Sequence, residues 1–140
     1  MITTIEFMGI QEAMALSPPR TGAMISIVDS AHNPAFTLSG WSEIKYFRFD
    51  DLVYLPLENP QYVLFDEQMA REIVDFVQDL HALEHPITLY VHCMAGVSRS
   101  GAVASWIGQE FGIPLPDYFL ARAKPNPRVL SLLRQASESL

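Results

Sequence analysis

The segment from His92 to Ser100 contains the side chains with the clearest chemical potential in this sequence. It reads His-Cys-Met-Ala-Gly-Val-Ser-Arg-Ser, follows the β-prone run Ile87 to Val91 and precedes residues with helical spacing. A strand, a short loop and a helix N-terminus in succession direct several backbone N–H groups at one point. We therefore predict that residues 92–100, hereafter the cysteine loop, bind an oxyanion.

Individual positions of the cysteine loop have separate predicted roles. Helix N-termini and oriented amides stabilise a thiolate, so Cys93 is the candidate nucleophile. Gly96 lets the backbone approach an anion closely, and Arg99 can bind two oxygens of a phosphate at once. Ser100 can donate a hydrogen bond to the sulfur when it leaves, while His92 supports the loop. The predicted anion-binding positions are Met94, Ala95, Gly96, Val97, Ser98 and Arg99.

The cysteine loop resembles the signature H-C-x-x-G-x-S-R-S of the dual-specificity branch of the protein-tyrosine-phosphatase superfamily, and every fixed position matches. At the residue frequencies of this chain, His, Gly, Arg and Ser or Thr occur by chance at their four offsets from one cysteine roughly once in 100,000. The alternative is a buried, inert Cys93 followed by an unrelated helix cap. The resemblance implies a phosphocysteine intermediate formed on Cys93, and it implies that neither a metal nor a cofactor is needed.

The resemblance also implies a general acid on a separate loop that follows an earlier strand. Here the dipeptide Asp50-Asp51 comes at the end of the strand-like run Ile44 to Phe49. Asp51 is the first choice for the acid and Asp50 the second, although either could instead cap a turn at the strand end. Asp66 is the third candidate, but at the start of an amphipathic helix it is expected to be an N-cap.

Hydrophobic spacing predicts strands that alternate with helices. The predicted strands are residues 4–8, 23–28, 44–49 and 87–91, and the predicted helices are 11–16, 66–83, 101–111, 117–123 and 128–137. This alternation is typical of an α/β domain in which helices flank a central, mostly parallel sheet. The cysteine loop then joins a central strand to a helix, in a dual-specificity-phosphatase-like fold that occupies residues 1–140 as a single domain. The resemblance further suggests that the break from Lys124 to Pro127 borders the site.

The composition limits the possible compartments and partners. Apolar residues make up 49% of the 140 residues, the net charge is −7 and Cys93 is the single cysteine. These features favour a reducing compartment, and they disfavour nucleic acid or an anionic membrane as a partner because both bind clustered Lys and Arg. The sequence has neither a recognisable secretory leader nor an apolar run long enough to span a bilayer, so a cytoplasmic location is expected.

The predicted reaction is hydrolysis of phosphotyrosine, with phosphoserine and phosphothreonine as further substrates. By resemblance, a chain of this length lacks room for the extra loops that deepen the pocket of phosphotyrosine-specific relatives. Met94, Ala95 and Val97 are uncharged, which disfavours highly anionic substrates such as phosphoinositides. The partner is then a phosphorylated protein or a small phosphate ester, and the sequence leaves the physiological substrate and the oligomeric state open.

Alternative functions use the same loop. One is a non-catalytic module that binds a phosphorylated partner, and another is a phosphatase of a non-protein phosphate ester. The weakest is sulfur transfer or arsenate reduction. Arsenate reductases related to low-molecular-weight phosphatases have their loop near the N-terminus, whereas Cys93 lies two-thirds along this chain.

Overall fold

Strands and helices alternate in the computed structural model, which describes residues 1–59 and 61–138. Each predicted strand and helix is present, with shifts of a few residues at its ends. The elements are β1 (Ile2–Met8), α1 (Ile10–Ala15), β2 (Gly22–Val28), β3 (Glu43–Arg48), α2 (Glu67–His81), β4 (Ile87–His92), α3 (Arg99–Phe111), α4 (Phe119–Arg122) and α5 (Pro127–Glu138).

The four strands form one sheet with the order β1-β4-β2-β3, and every neighbouring pair is parallel. Because β4 lies between β1 and β2, Val91 pairs with Phe7 on one side and with Ile25 on the other. The carboxyl ends of all four strands therefore meet at the same edge of the sheet, where ligands bind in open α/β folds. This arrangement confirms the predicted α/β class with a parallel central sheet.

Helices cover the sheet unequally on its two faces. The main hydrophobic core lies between the sheet and α2, α3 and α5, and it includes the fully buried Trp106 of α3. A smaller cluster around Met24 and Trp41 covers the opposite face with α1 and the loop between β2 and β3. Each large apolar side chain buried in these layers contributes about 1.5–3 kcal/mol. The rigid core holds the strand ends, and hence the cysteine loop, in place.

The long helix α2 begins where its capping residue predicts. The Oδ1 atom of Asp66 accepts the backbone N–H of Met69 at 2.9 Å, which confirms the predicted N-cap. Ile73, Val77 and Leu80 are buried at helical spacing, so one face of α2 belongs to the main hydrophobic core. The carboxylate of Asp66 therefore caps α2 at the point where the preceding loop ends.

The helices beside the cysteine loop begin at different residues from those predicted. α3 begins at Arg99, two residues before the predicted start, because the carbonyl of Ser98 already accepts the N–H of Ala102 at 2.9 Å. α5 begins at Pro127, which was predicted to lie in a break; proline suits the first helical position because no N–H is needed there. α4 is shorter than predicted. Across the described residues, no helix has the length and apolar character to cross a bilayer.

Candidate active site

Cys93 lies directly after the central strand β4 and is only 2% exposed. Its Sγ atom receives the backbone N–H of Gly96 at 3.2 Å and lies 3.1 Å from the hydroxyl oxygen of Ser100. Both groups can donate to a negatively charged sulfur, and both are held by the loop and by the first turn of α3. The sulfur therefore lies between the backbone of the cysteine loop and the first turn of α3.

Gly96 allows the cysteine loop to close tightly against the end of β1. Its φ of +74° is in the left-handed region, and an added Cβ would lie 2.3 Å from the backbone nitrogen of Gly9. Ile10, the residue after Gly9, is joined to the cysteine loop by a hydrogen bond from its N–H to the carbonyl of Met94 at 3.1 Å. Only glycine fits this position, both for its backbone angle and for its lack of a side chain.

Arg99 is the first residue of α3 and is 5% exposed. Its Nη1 atom donates to the carbonyl of Phe49 at 2.7 Å and to Oδ1 of Asp29 at 2.8 Å. Its Nε is buried and has no hydrogen-bond partner within residues 1–59 and 61–138. A buried donor left unpaired costs about 1–3 kcal/mol. The guanidinium is thus fixed through Nη1, while Nε remains available to an oxyanion.

Asp29 is a site residue that sequence reasoning missed. It directly follows β2, which is a neighbour of β4 in the sheet, and its carboxylate compensates the buried charge of Arg99. The two residues are far apart in sequence, and no motif joins them. The signal that finds Asp29 is topological, since a carboxylate at the end of an adjacent parallel strand must lie close to the cysteine loop.

The two neighbouring aspartates of the acid dipeptide have different surroundings. Asp50 is 8% exposed, and its Oδ2 accepts the hydroxyl of Ser30 at 2.6 Å and the N–H of Val63 at 2.8 Å. The N–H of Ser30 donates to Oδ1 at 3.1 Å. Burial by itself raises the pKa of Asp50, but these hydrogen bonds and the charge of Arg99 outweigh it and hold the pKa below its ordinary value. The Asp50 carboxylate thus has a fixed position and joins the loop after β2, through Ser30, to the loop before α2, through Val63.

Asp50→Asn is expected to lower the free energy of unfolding by about 2 kcal/mol at neutral pH, because the amide replaces one acceptor by a donor. A folded-state pKa below the ordinary value of about 3.9 means that the carboxylate stabilises the fold above that value and loses its effect as the pH falls through the folded-state pKa. The difference between variant and wild type should therefore shrink in acid. Urea denaturation followed by circular dichroism at neutral and acidic pH measures it.

The matched control for this stability measurement is Asp79→Asn, on the exposed side of α2. We expect that variant to change the free energy of unfolding by less than about 0.5 kcal/mol. If Asp50→Asn were no more destabilising than Asp79→Asn, Asp50 would not have the joining role described above.

Asp51, in contrast, is exposed at the mouth of the cysteine loop. Its Oδ1 accepts the hydroxyl of Ser98 at 2.8 Å and the side-chain amide of Asn126 at 2.8 Å. The same amide of Asn126 also donates to the carbonyl of Leu52 at 3.2 Å. The structure thus brings Asp51 to the loop that contains Cys93, and it directs the Asp50 carboxylate into a different set of contacts.

The segment from Lys124 to Pro127 lies against the cysteine loop. The N–H of Lys124 donates to the carbonyl of Val97 at 3.1 Å, and the N–H of Asn126 donates to the carbonyl of Ser98 at 3.0 Å. Asn126 is buried, so its contacts with Asp51 are held in one geometry. Asn126 therefore joins the acid dipeptide to the cysteine loop, a role that its sequence context did not reveal.

His92 supports the cysteine loop from within the sheet. Its Nδ1 lies 3.1 Å from the carbonyl of Cys93, which can only accept, so Nδ1 must hold the proton. Its Nε2 then accepts the hydroxyl of Ser26, whose oxygen is 2.6 Å away. Burial lowers the pKa of His92, and the ring is neutral at pH 7. His92 acts on Cys93 through the backbone and not by exchanging its proton.

Solved structures share this fold at low sequence identity, and no protein-family model matches the chain. Tk-PTP in its active form has 15% identity and a TM-score of 0.55, with 97% of this chain and 91% of that chain covered. PTPMT1 in complex with PI(5)P has 14% identity and a TM-score of 0.54 over the same shares. The human tyrosine phosphatase-like serine/threonine/tyrosine-interacting protein has 19% identity and a TM-score of 0.46, with 85% and 77% covered.

The first two of these structures identify the fold. Tk-PTP and PTPMT1 match across nearly the whole of this chain, so the similarity includes the sheet, the cysteine loop and the helices that follow it. The chain therefore has the dual-specificity-phosphatase-like fold that its loop signature predicted.

Proposed function

We propose that residues 1–140 act as one cysteine-dependent phosphatase domain that hydrolyses phosphate monoesters, with protein phosphotyrosine as the main substrate. The observation that carries the proposal is the anion site of the cysteine loop. Donors from Gly96 and Ser100 lie at the sulfur of Cys93, and the buried Nε of Arg99 lacks a protein partner in the described residues. A phosphate ester supplies the acceptor oxygens that such a site needs.

The first proposed step transfers the phosphoryl group to sulfur. The thiolate of Cys93 attacks phosphorus, a P–S bond forms and the P–O bond to the alcohol or phenol breaks. Arg99 and the loop amides stabilise the negative charge on the transferring oxygens. Asp51 gives its proton to the departing oxygen, and its contact with Ser98 supports this role because it holds the carboxyl over the loop.

The second proposed step hydrolyses the phosphocysteine. Asp51, now a carboxylate, accepts a proton from water as the water oxygen attacks phosphorus. The P–S bond breaks, inorganic phosphate leaves and the thiolate is restored. Ser100 donates to the sulfur at this stage, which makes the thiolate a better leaving group. The cycle needs only water and the ester, and it leaves the chain unchanged.

The choice of substrate rests on the charge of the loop. The PTPMT1 structure contains PI(5)P, so a phosphoinositide is the second candidate substrate for this chain. Met94, Ala95 and Val97 offer no positive charge to additional phosphates, and the net charge of −7 disfavours an anionic membrane surface. These features favour a singly phosphorylated group such as phosphotyrosine.

Hydrolysis of para-nitrophenyl phosphate by the purified protein, with a metal chelator present, tests the proposed activity. We expect turnover that resists the chelator and release of inorganic phosphate equal to the phenol formed. If neither this ester nor a phosphotyrosine peptide is hydrolysed but the peptide binds in calorimetry, the chain is a phosphate-binding module. Thiosulfate:cyanide sulfur transfer faster than ester hydrolysis would instead indicate a sulfurtransferase.

A further inference from the structure

An exposed apolar surface lies immediately after the proposed general acid. We define the acid-loop surface as Val53, Tyr54, Leu55 and Leu57, of which Tyr54 is 77% and Leu57 96% exposed. In the part of the chain that the structure describes, six of the twelve exposed large apolar side chains lie between residues 53 and 63. Such clustering at one place on a surface marks a binding site more often than chance exposure does.

Backbone contacts fix the beginning of this surface next to the site. The carbonyl of Leu52 accepts the side-chain amide of Asn126 at 3.2 Å, and the carbonyl of Val53 accepts Nη1 of Arg128 at 3.4 Å. Further along, the N–H of Asn59 donates to the carbonyl of Pro56 at 3.2 Å and closes a turn. The loop that carries these apolar side chains is therefore anchored, and the side chains themselves do not pack over a hydrophobic core.

Asp51 and the acid-loop surface line one depression, together with Leu52 and Glu58. If Asp51 protonates the departing oxygen, the alcohol part of the substrate must pass directly over this depression. The groups attached to that alcohol then come within reach of Tyr54 and Leu57. The acid-loop surface is thus placed to contact the groups on either side of the phosphoester.

The charge around the depression selects among the possible occupants. Of the residues that the structure describes, Asp51 and Glu58 are the charged ones that line the depression, and the one cation placed beside it, Arg128, donates to the carbonyls of Phe65 and Val53. Such a region repels anionic lipid headgroups and also peptides with acidic residues beside the phosphate. An apolar or basic peptide segment is the occupant that this charge permits.

We propose that the acid-loop surface docks apolar residues that flank the phosphorylated tyrosine of a peptide substrate. This inference rests on the proposed phosphatase function and adds a sequence preference to it. Side chains such as Leu or Val beside the phosphotyrosine cover Tyr54 and Leu57 when Cys93 engages the phosphate. Polar flanks leave both side chains exposed to water, and the complex is weaker.

The test compares two phosphotyrosine peptides of equal length and charge, one with Leu and Val flanks and one with Ser and Asn flanks. Wild type should hydrolyse the apolar peptide with a kcat/KM about tenfold higher. The double variant Tyr54→Ser/Leu57→Ser should lose this preference and retain its rate on phenyl phosphate, which has no flanking residues to cover Tyr54 and Leu57. Leu83→Ser, an exposed apolar residue beyond the end of α2, is the control and should keep the preference.

The outcomes separate this inference from the proposed function. Hydrolysis of phenyl phosphate with equal rates on both peptides refutes the docking surface and leaves the phosphatase intact. Loss of activity on phosphoinositide vesicles in the double variant, with the peptide preference unchanged, also refutes it and assigns the surface to lipid. If wild type hydrolyses none of these esters, fluorescence anisotropy of both peptides with the Cys93→Ser variant still decides docking, since equal affinities contradict it and tighter binding of the apolar peptide supports it.

Discussion

Cys93→Ser is expected to lower the rate of phosphate release by about 10⁴-fold or more, because the hydroxyl that replaces the thiolate stays protonated and is a poor nucleophile. Sulfur and oxygen are close in size, and the side chain is buried among loop atoms, so the fold should be preserved. The measurement is steady-state hydrolysis of para-nitrophenyl phosphate, with thermal unfolding of both proteins as the check on folding.

The same variant separates catalysis from binding. Gly96 and Arg99 are unchanged in Cys93→Ser, so the protein should still bind a phosphotyrosine peptide with an affinity within about tenfold of the wild-type KM. A matched control is Ser105→Ala, in α3 away from the sulfur, which should keep its turnover. Turnover at a comparable rate in Cys93→Ser would mean that another group attacks phosphorus, and the nucleophile assignment would be wrong.

The parts of the site that are contiguous in sequence could be predicted from it. The strand β4, the cysteine loop and α3 follow one another, so hydrophobic spacing and the loop residues were enough to place Cys93 at a helix N-terminus. The first turn of α3 includes Arg99 because the helix begins two residues before its predicted start. These features depend on residues that are close together in the chain, and the spacing of residue types indicates such local structure.

The parts that depend on the order of strands could not be predicted in this way. Asp29 reaches Arg99 only because β2 lies beside β4, and nothing in the spacing of the apolar residues determines the order β1-β4-β2-β3. Asn126 likewise meets Asp51 across a distance of 75 positions in the chain. A polar contact between residues that are remote in the chain produces no periodic pattern, so the contacts of Asp29 and Asn126 could not be predicted from the sequence.

The choice of Asp51 over Asp50 as the proposed general acid also depends on contacts with residues that are remote in the chain. Both follow a strand and both suit a turn, so the sequence alone ranked them without a physical criterion that separates them. The criterion comes from remote partners: Ser30 and Val63 surround the carboxylate of Asp50, whereas Ser98 meets that of Asp51. The proposed acid must reach the departing oxygen, and of the two only Asp51 contacts the cysteine loop through its side chain.

Asp51→Asn should lower kcat by about 10²–10³-fold on phenyl or alkyl phosphates, because the amide accepts the hydrogen bonds of Ser98 and Asn126 but cannot protonate the departing oxygen. On para-nitrophenyl phosphate the loss should be much smaller, since that phenolate leaves without a proton. The slope of log kcat against the acidity of the leaving group measures the effect, and it should be steeper in the variant than in wild type.

Asp50→Asn is the matched control for this series, since it makes the same chemical change one residue earlier. Because the Asp50 carboxylate is held by Ser30 and Val63, that variant should reduce kcat on all esters by one similar factor and leave the slope unchanged. A steeper slope in Asp50→Asn, with an unchanged slope in Asp51→Asn, would transfer the acid role to Asp50. That result would require the loop to turn Asp50 out of its buried contacts when substrate binds.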